Sequence, residues 1–172
     1  GTEAQKEEYL PAIADGSIQF CMGLTEPRAG TNTLQLDTSA ERDGDAYVLD
    51  GEKTFISGVE NADEMLLIAR TSPFDPDRPT HGVSLFLVPD PATQDGISLS
   101  TLDTQPPWFE QQYHVTIDGL RVPEDRILGE VDQGLGLLFD TLNTERMAGA
   151  ASALGGGLRA IDLAVDYAAD RE

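Results

Sequence analysis

What most constrains this chain is a change of pattern along it. From Ser17 to about Pro123, short runs of apolar and β-branched residues are separated by Gly, Pro, Asp and Asn. After Gly129 the apolar residues fall three or four apart, at Leu135, Leu138 and Leu142 and then Leu154, Leu158, Ile161, Val165 and Ala168. The first pattern predicts a β domain and the second a long helix. A shorter zone opens the chain. Thr2 is followed three positions later by Gln5, the spacing of a capping box, which predicts a short helix from Thr2 to Leu10, punctuated by Pro11 and Gly16. The expected fold is α+β, an antiparallel β-barrel-like middle domain flanked by α-helical segments, with boundaries at 1–20, 21–130 and 131–172.

Within the β zone, Tyr47 to Ile56 carries Asp50-Gly51 at its centre, and Asp-Gly suits the positive φ angles of a tight hairpin turn. A hairpin is expected there. Met65 to Ala69, Val83 to Val88 and Tyr113 to Ile117 are further strand candidates, and sequential antiparallel pairing is the economical arrangement. The proline-rich Ser72 to Thr80 and the stretch around Pro106-Pro107-Trp108 are expected to be surface loops. Gly155, Gly156 and Gly157 interrupt the helical spacing, so either the helix breaks there or another element packs very close. A helix with an uncovered apolar stripe implies that these residues belong to a longer chain.

The chain has 31 acidic and 11 basic residues among 172, a formal net charge of −20. Affinity for nucleic acid rests on Lys and Arg neutralising phosphates, so DNA or RNA binding is disfavoured. The sequence holds no unbroken apolar run near the ~18 residues that a membrane-spanning helix needs. Only Lys6 and Lys53 are lysines, and 18 aspartates are scattered along the length. That balance suits concentrated salt, where the Debye length falls to ~3 Å at 1 M and self-repulsion is screened. A halophilic, cytoplasmic protein is expected; the bland alternative is an acidic protein of ordinary salt. A lone Cys21 forms no internal disulfide, and no charged-then-apolar leader is present.

Two segments combine hydroxyls, glycines and apolar residues at strand ends. In Met22-Gly-Leu-Thr-Glu-Pro-Arg-Ala-Gly-Thr31, Pro27 and Gly30 force a turn that gathers backbone amides with the hydroxyls of Thr25 and Thr31. In Phe55-Ile56-Ser57-Gly58, a ring and a hydroxyl two residues apart face the same side of a strand. Together they suit a flat, partly polar ring such as a flavin, which wants an apolar wall and hydrogen-bond donors along its polar edge. Taken alone, the same residues also read as two ordinary turns with Phe55 in the core.

The sequence resembles the acyl-CoA dehydrogenase family. Gly1-Thr-Glu-Ala-Gln-Lys with Tyr9-Leu-Pro is similar to the end of that family's first helical domain. Leu24-Thr-Glu-Pro-Arg-Ala-Gly-Thr is similar to its signature loop, and Leu49-Asp-Gly-Glu-Lys-Thr-Phe-Ile-Ser-Gly to its second flavin segment. Val122-Pro123 with Leu128-Gly129, and Glu145-Arg146 with Ala150-Ala151 and Leu154-Gly155, resemble the exit from the β domain and the first helix of the last domain. The resemblance implies an FAD enzyme that removes an α proton and a β hydride from an acyl thioester, giving a trans-2-enoyl-CoA. It also implies a homotetramer that passes electrons to an electron-transferring flavoprotein.

By the same resemblance, Met22, Leu24, Thr25 and Gly30 line the flavin, Phe55 and Ile56 belong to its second contact segment, and the Ser57 hydroxyl reaches N5. Thr31 touches the pantetheine arm of CoA or a flavin phosphate. Glu145, immediately before Arg146, holds the position of the catalytic base in the isovaleryl-CoA and long-chain subgroup; the alternative puts the base in a later segment and leaves Glu145 a solvated helix residue. Arg146 and Asn143 are placed near the substrate, Arg146 alternatively pairing along its own helix. Gly58 stands where the family often has Asn, Arg28 where Gly is common, and Gln105 to Gln112 departs from the Gly-x-Arg-x-Ser pattern. These 172 residues alone are expected to be inactive. An acyl-CoA oxidase or flavin monooxygenase of the same fold, and a non-catalytic β module, are the rival readings.

Other candidates carry less. His81 and His114 lack the spacing of a metal site. Nothing beside Cys21 lowers its pKa, and Ser57 has no neighbouring His to make it a nucleophile. Gly155-Gly-Gly157 lacks the Lys and Ser/Thr of a phosphate loop.

Overall fold

The computed structural model describes residues 1–104 and 111–171. The loop expected around Pro106-Pro107-Trp108, and most of the departure from Gln105 onward, lie outside the described residues. The chain forms two units, Gly1–Leu135 and the segment from Gly136 onward.

In the first unit, α1 (Glu3–Asp15) begins as the sequence predicts: Gln5 N donates to Thr2 Oγ1 at 3.2 Å and Thr2 N to Gln5 Oε1 at 2.9 Å. Pro11 does not stop it. The helix absorbs the missing amide and ends at Gly16, whose amide turns back to the Ala12 and Ile13 carbonyls. Seven strands come next: β1 (Phe20–Gly23), β2 (Ser39–Asp43), β3 (Ala46–Ser57), β4 (Glu64–Arg70), β5 (Val83–Pro89), β6 (Ile97–Leu102) and β7 (Gln112–Pro123). They make one sheet in the order β1-β4-β2-β3-β7-β6, with β5 on β4. With the helices, this is the α+β, barrel-like arrangement expected.

Two expectations about pairing need correction. Sequential antiparallel pairing holds for β2–β3, β4–β5 and β6–β7, but β1 runs parallel to β4, Phe20 opposite Glu64 through Gly23 opposite Leu67. A second parallel contact, Ser39 opposite Arg70, brings β2 to the far end of the same strand. The strand β4 thus takes β5 along one edge and β1, then β2, along the other, and this shared edge curls the sheet.

The hairpin is also displaced. The chain reverses at Asp43-Gly44-Asp45, where Gly44 has φ +66°, while Asp50-Gly51 lies inside β3, at a register shift in its ladder to β7. There the Asp50 carboxylate accepts the Gly119 amide of β7 at 2.8 Å, and Gly51, φ +151°, lies so close to Thr38 that a Cβ would come within 2.6 Å of its Oγ1. The core is built from inward residues of the curled sheet, among them Leu49, Met65, Leu67, Phe86, Val115 and Leu120. Tyr47 meets Phe86 edge-on at 5.4 Å.

The second unit is the greater part of α2 (Gly134–Asp170). It runs unbroken through Gly155-Gly156-Gly157, with open space where each Cβ would stand. The helix does not break, and among the described residues no element packs on the glycines, which cost roughly 1 kcal/mol each relative to Ala. Its stripe of Leu154, Leu158, Ile161 and Val165 is exposed.

Candidate functional site

The two segments singled out in the sequence meet. Thr54 N on β3 donates to Thr25 O in the loop after β1 at 2.8 Å, although the two residues are far apart in the chain. Beneath this joint lies Lys53, wholly buried. Its Nζ donates to Glu26 Oε1 at 2.8 Å, to Ile68 O at 2.6 Å and to Leu24 O at 3.4 Å, so its three hydrogens are taken by two segments, the loop after β1 and the strand β4.

The Glu26 carboxylate is equally engaged. Oε2 accepts the Asp37 amide at 2.6 Å, and Oε1 accepts the Thr38 amide at 3.1 Å as well as Lys53. The backbone of Glu26 closes the turn with reciprocal bonds to Ala29, both 3.1 Å. Burial pushes the Glu26 carboxyl up, but Lys53 and the hydrogen bonds from Thr38 and Asp37 outweigh it and hold it below the usual carboxylate range. Burial lowers Lys53 to about 8, against the opposing pull of Glu26. A buried charge without a partner costs several kcal/mol, so neither residue is tolerable alone in this position.

The joint shapes the end of β3. Lys53 and Thr54 are both buried, breaking the alternation of the strand, and the ladder to β7 stops at Lys53–Val115 and resumes at Ile56–Tyr113. One extra residue is accommodated between them. Phe55 adopts φ +58°, a left-handed conformation costing a ring-bearing residue roughly 1–2 kcal/mol, and its side chain is 60% exposed. Ser57 is exposed on the same side, and its Oγ accepts Gln112 Nε2 at 2.7 Å, which leaves its own hydrogen free to donate. An outward ring beside an outward hydroxyl fits a flat ligand with a polar edge.

The remaining predicted residues divide between the two units. Met22 and Thr25 are half-buried, Leu24 is buried, and Gly30 and Thr31 are exposed at the tip of the turn. Ile56 points into the core, leaving only its backbone to the outer face. Phe55 is not core, as the ordinary-turn reading had it. Glu145, Asn143 and Arg146 are exposed on α2 in the second unit; Arg146 Nη1 donates to Asn143 Oδ1 at 3.4 Å, one turn back along its own helix. Cys21 is buried and pushed up to about 12, an inert thiol. His114 Nε2 lies 3.7 Å from Glu52.

Beside the turn, Arg28, Asn32, Leu34, Arg70 and Phe74 wall an open groove of about 520 Å³. Arg70 is anchored by donating to Leu34 O at 2.9 Å and Leu36 O at 3.3 Å, and its guanidinium lies 5.6 Å from the Phe74 ring centre. Sequence reasoning passed over Glu26 and Lys53. The signal was available: Tyr47, Leu49, Gly51 and Lys53 share the inward parity of β3, and an inward lysine demands an acid.

The curled β domain thus carries an exposed aromatic ring and an exposed hydroxyl near a buried ion pair. The chain belongs to the acyl-CoA dehydrogenase family: the family described as "Acyl-CoA dehydrogenase, middle domain" matches residues 21–117. It is 39% identical to acyl-CoA dehydrogenase FadE12 of Mycobacterium tuberculosis over its whole length, which is 43% of that relative. Among solved structures, butyryl-CoA dehydrogenase from Megasphaera elsdenii matches all of it at a TM-score of 0.85 and 33% identity, over 44% of that chain. The glutaryl-CoA complex of a glutaryl-CoA dehydrogenase matches all of it at 0.85 and 31%, over 42% of that chain. The chain thus spans less than half the length of these relatives.

Proposed function

We propose that this chain is the flavin-holding part of an FAD-dependent acyl-CoA dehydrogenase that converts an acyl-CoA to its trans-2-enoyl-CoA. The observation that carries the reading is the joint from Thr54 N to Thr25 O, which makes one surface of two distant segments. When bound, FAD supplies the hydride acceptor. Phe55 walls one face of the ring, the Ser57 hydroxyl donates toward N5, and Met22, Leu24, Thr25 and Gly30 line the remainder, with the Ile56 contact made through its backbone. Thr31, at the tip of the turn, reaches the pantetheine arm or a flavin phosphate. Arg28 and Arg70 give a polyanionic ligand a cationic approach on a chain of net charge −20.

Glu145 takes the α proton as a carboxylate base, and Arg146 and Asn143 flank the acyl group. The full-length enzyme is a homotetramer, delivers electrons to an electron-transferring flavoprotein and works in the cytoplasm of a salt-adapted organism. Among the described residues, no helix is long and apolar enough to cross a membrane. The test is an absorbance spectrum of the purified full-length protein: flavin bands that bleach on adding an acyl-CoA are expected, and a colourless protein that takes up no FAD sinks the reading. Glu145→Gln then abolishes bleaching; retained bleaching removes Glu145 as the base.

A further inference from the structure

We propose that Glu26 and Lys53 form a positioning pair: beyond holding the fold, they fix the strand register that sends Phe55 and Ser57 to the outer face. The inference rests on the flavin reading only for what that face holds. On β3, three steps lead from Lys53 to Ile56, while on β7 two lead from Val115 to Tyr113. The surplus residue is kept in β3 because its neighbours are tied elsewhere. Lys53 Nζ is bound to Leu24 O, Glu26 Oε1 and Ile68 O, and Thr54 N to Thr25 O. Every one of those ties except Ile68 lies in Leu24, Thr25 or Glu26, the residues that lead into the turn Glu26 closes with Ala29.

Glu26 is in turn held by the Asp37 and Thr38 amides, and Thr38 packs on Gly51, two residues before Lys53. The pair therefore sits at the crossing of the turn, the Asp37-Thr38 segment, β3 and β4. Remove its charges and nothing ionic holds the extra residue in place. A slip of one residue in β3 reverses which side chains face the core, turning Ser57 in and Ile56 out. Ser57 opposite Gln112 is the outermost pair of that ladder, so it registers any slip.

A purely structural pair and a positioning pair respond differently to joint removal. Replacing both members of a buried ion pair by neutral residues often restores stability that either single change loses. The test therefore uses Glu26→Gln/Lys53→Met in the full-length protein, with Tyr9→Phe as a destabilised control remote from the pair. Stability, FAD affinity by flavin fluorescence, and hydrogen exchange at the amides of residues 54–58 in flavin-free protein are measured.

The expected result is that the double variant is more stable than Lys53→Met, yet binds FAD at least tenfold more weakly and exchanges at 54–58 at least tenfold faster, while Tyr9→Phe stays within twofold on both. A double variant within twofold of the parent in exchange and affinity overturns the inference. Should the double variant fail to fold, Glu26→Gln alone decides: it removes the charge and keeps an acceptor oxygen for only one of the two amides, Asp37 or Thr38, and unchanged exchange at 54–58 overturns the pair's role. A parent that binds no FAD defeats the flavin reading, and the exchange measurement still judges the pair.

Discussion

Two buried glutamates hold this molecule together, and they do so differently. Glu26 has both oxygens occupied by Lys53 and two backbone amides, and the pair is closed to solvent. Glu64 loads one oxygen, Oε1, with both the Tyr9 hydroxyl at 3.0 Å and Arg126 Nη2 at 2.5 Å, while its Oε2 is buried with no partner among the described residues. Arg126 keeps 23% of its side chain exposed. The first cluster lies where four segments cross under the proposed site; the second fastens α1 to β4, with Gln5 Nε2 adding a bond to Ile127 O at 3.0 Å. Saturation accompanies the crossing of four segments under the proposed site, and an unfilled valence is tolerated where a helix is seated on the sheet.

The contrast is broken most severely by Lys53→Met alone. It leaves a carboxylate enclosed without its cation, and denaturant unfolding of the full-length protein is expected to show a loss of about 3–5 kcal/mol. A loss below about 1 kcal/mol would show that the two clusters are equivalent. At the other cluster, Tyr9→Phe removes one hydrogen bond and costs about 1 kcal/mol. The Tyr9 hydroxyl, raised to about 12 by burial and by its bond to Glu64, is the corresponding reporter: the substitution should remove a late-ionising component from a spectrophotometric pH titration.

Acid sharpens the comparison further. The Glu26 carboxyl titrates lower in the folded state than its ordinary 4.5, so its contribution is fully present above that value and is lost as the pH falls through the folded one. Stability curves for the parent and Glu26→Gln should converge as the pH falls below the ordinary 4.5 and through the lowered folded value. Parallel curves would remove the ion pair from acid unfolding. The smallest effect is expected from salt: acyl-CoA binding by the full-length protein should strengthen severalfold between 0.1 and 2 M KCl as the −20 surface is screened. Weaker binding at high salt would argue against that field.

Local chemistry told truly about local structure. The Thr2 capping box, the apolar runs of β4 and β5 and the long helix were legible because each signal is confined to a few neighbouring residues. The Asp-Gly signals show where this fails. Asp43-Gly44 and Asp50-Gly51 are the same dipeptide seven residues apart, and only the first makes the hairpin. Thr38 and Gly119, distant in sequence, decide that the second is strand. Parallel pairing of β1 with β4 is a long-range choice of the same kind. At the site, the turn and the Phe55–Ser57 segment stood out through their residue types. The Lys53–Glu26 contact did not, since a lysine reads as surface until something remote encloses it.

Enclosure of one lysine gives this molecule a built-in clock. Lys6 is half-exposed and remains open to acylating reagents, whereas Lys53 has no accessible amine until the sheet parts around it. Slow modification at Lys53, read at that residue by peptide mass spectrometry, times that parting, with no label added.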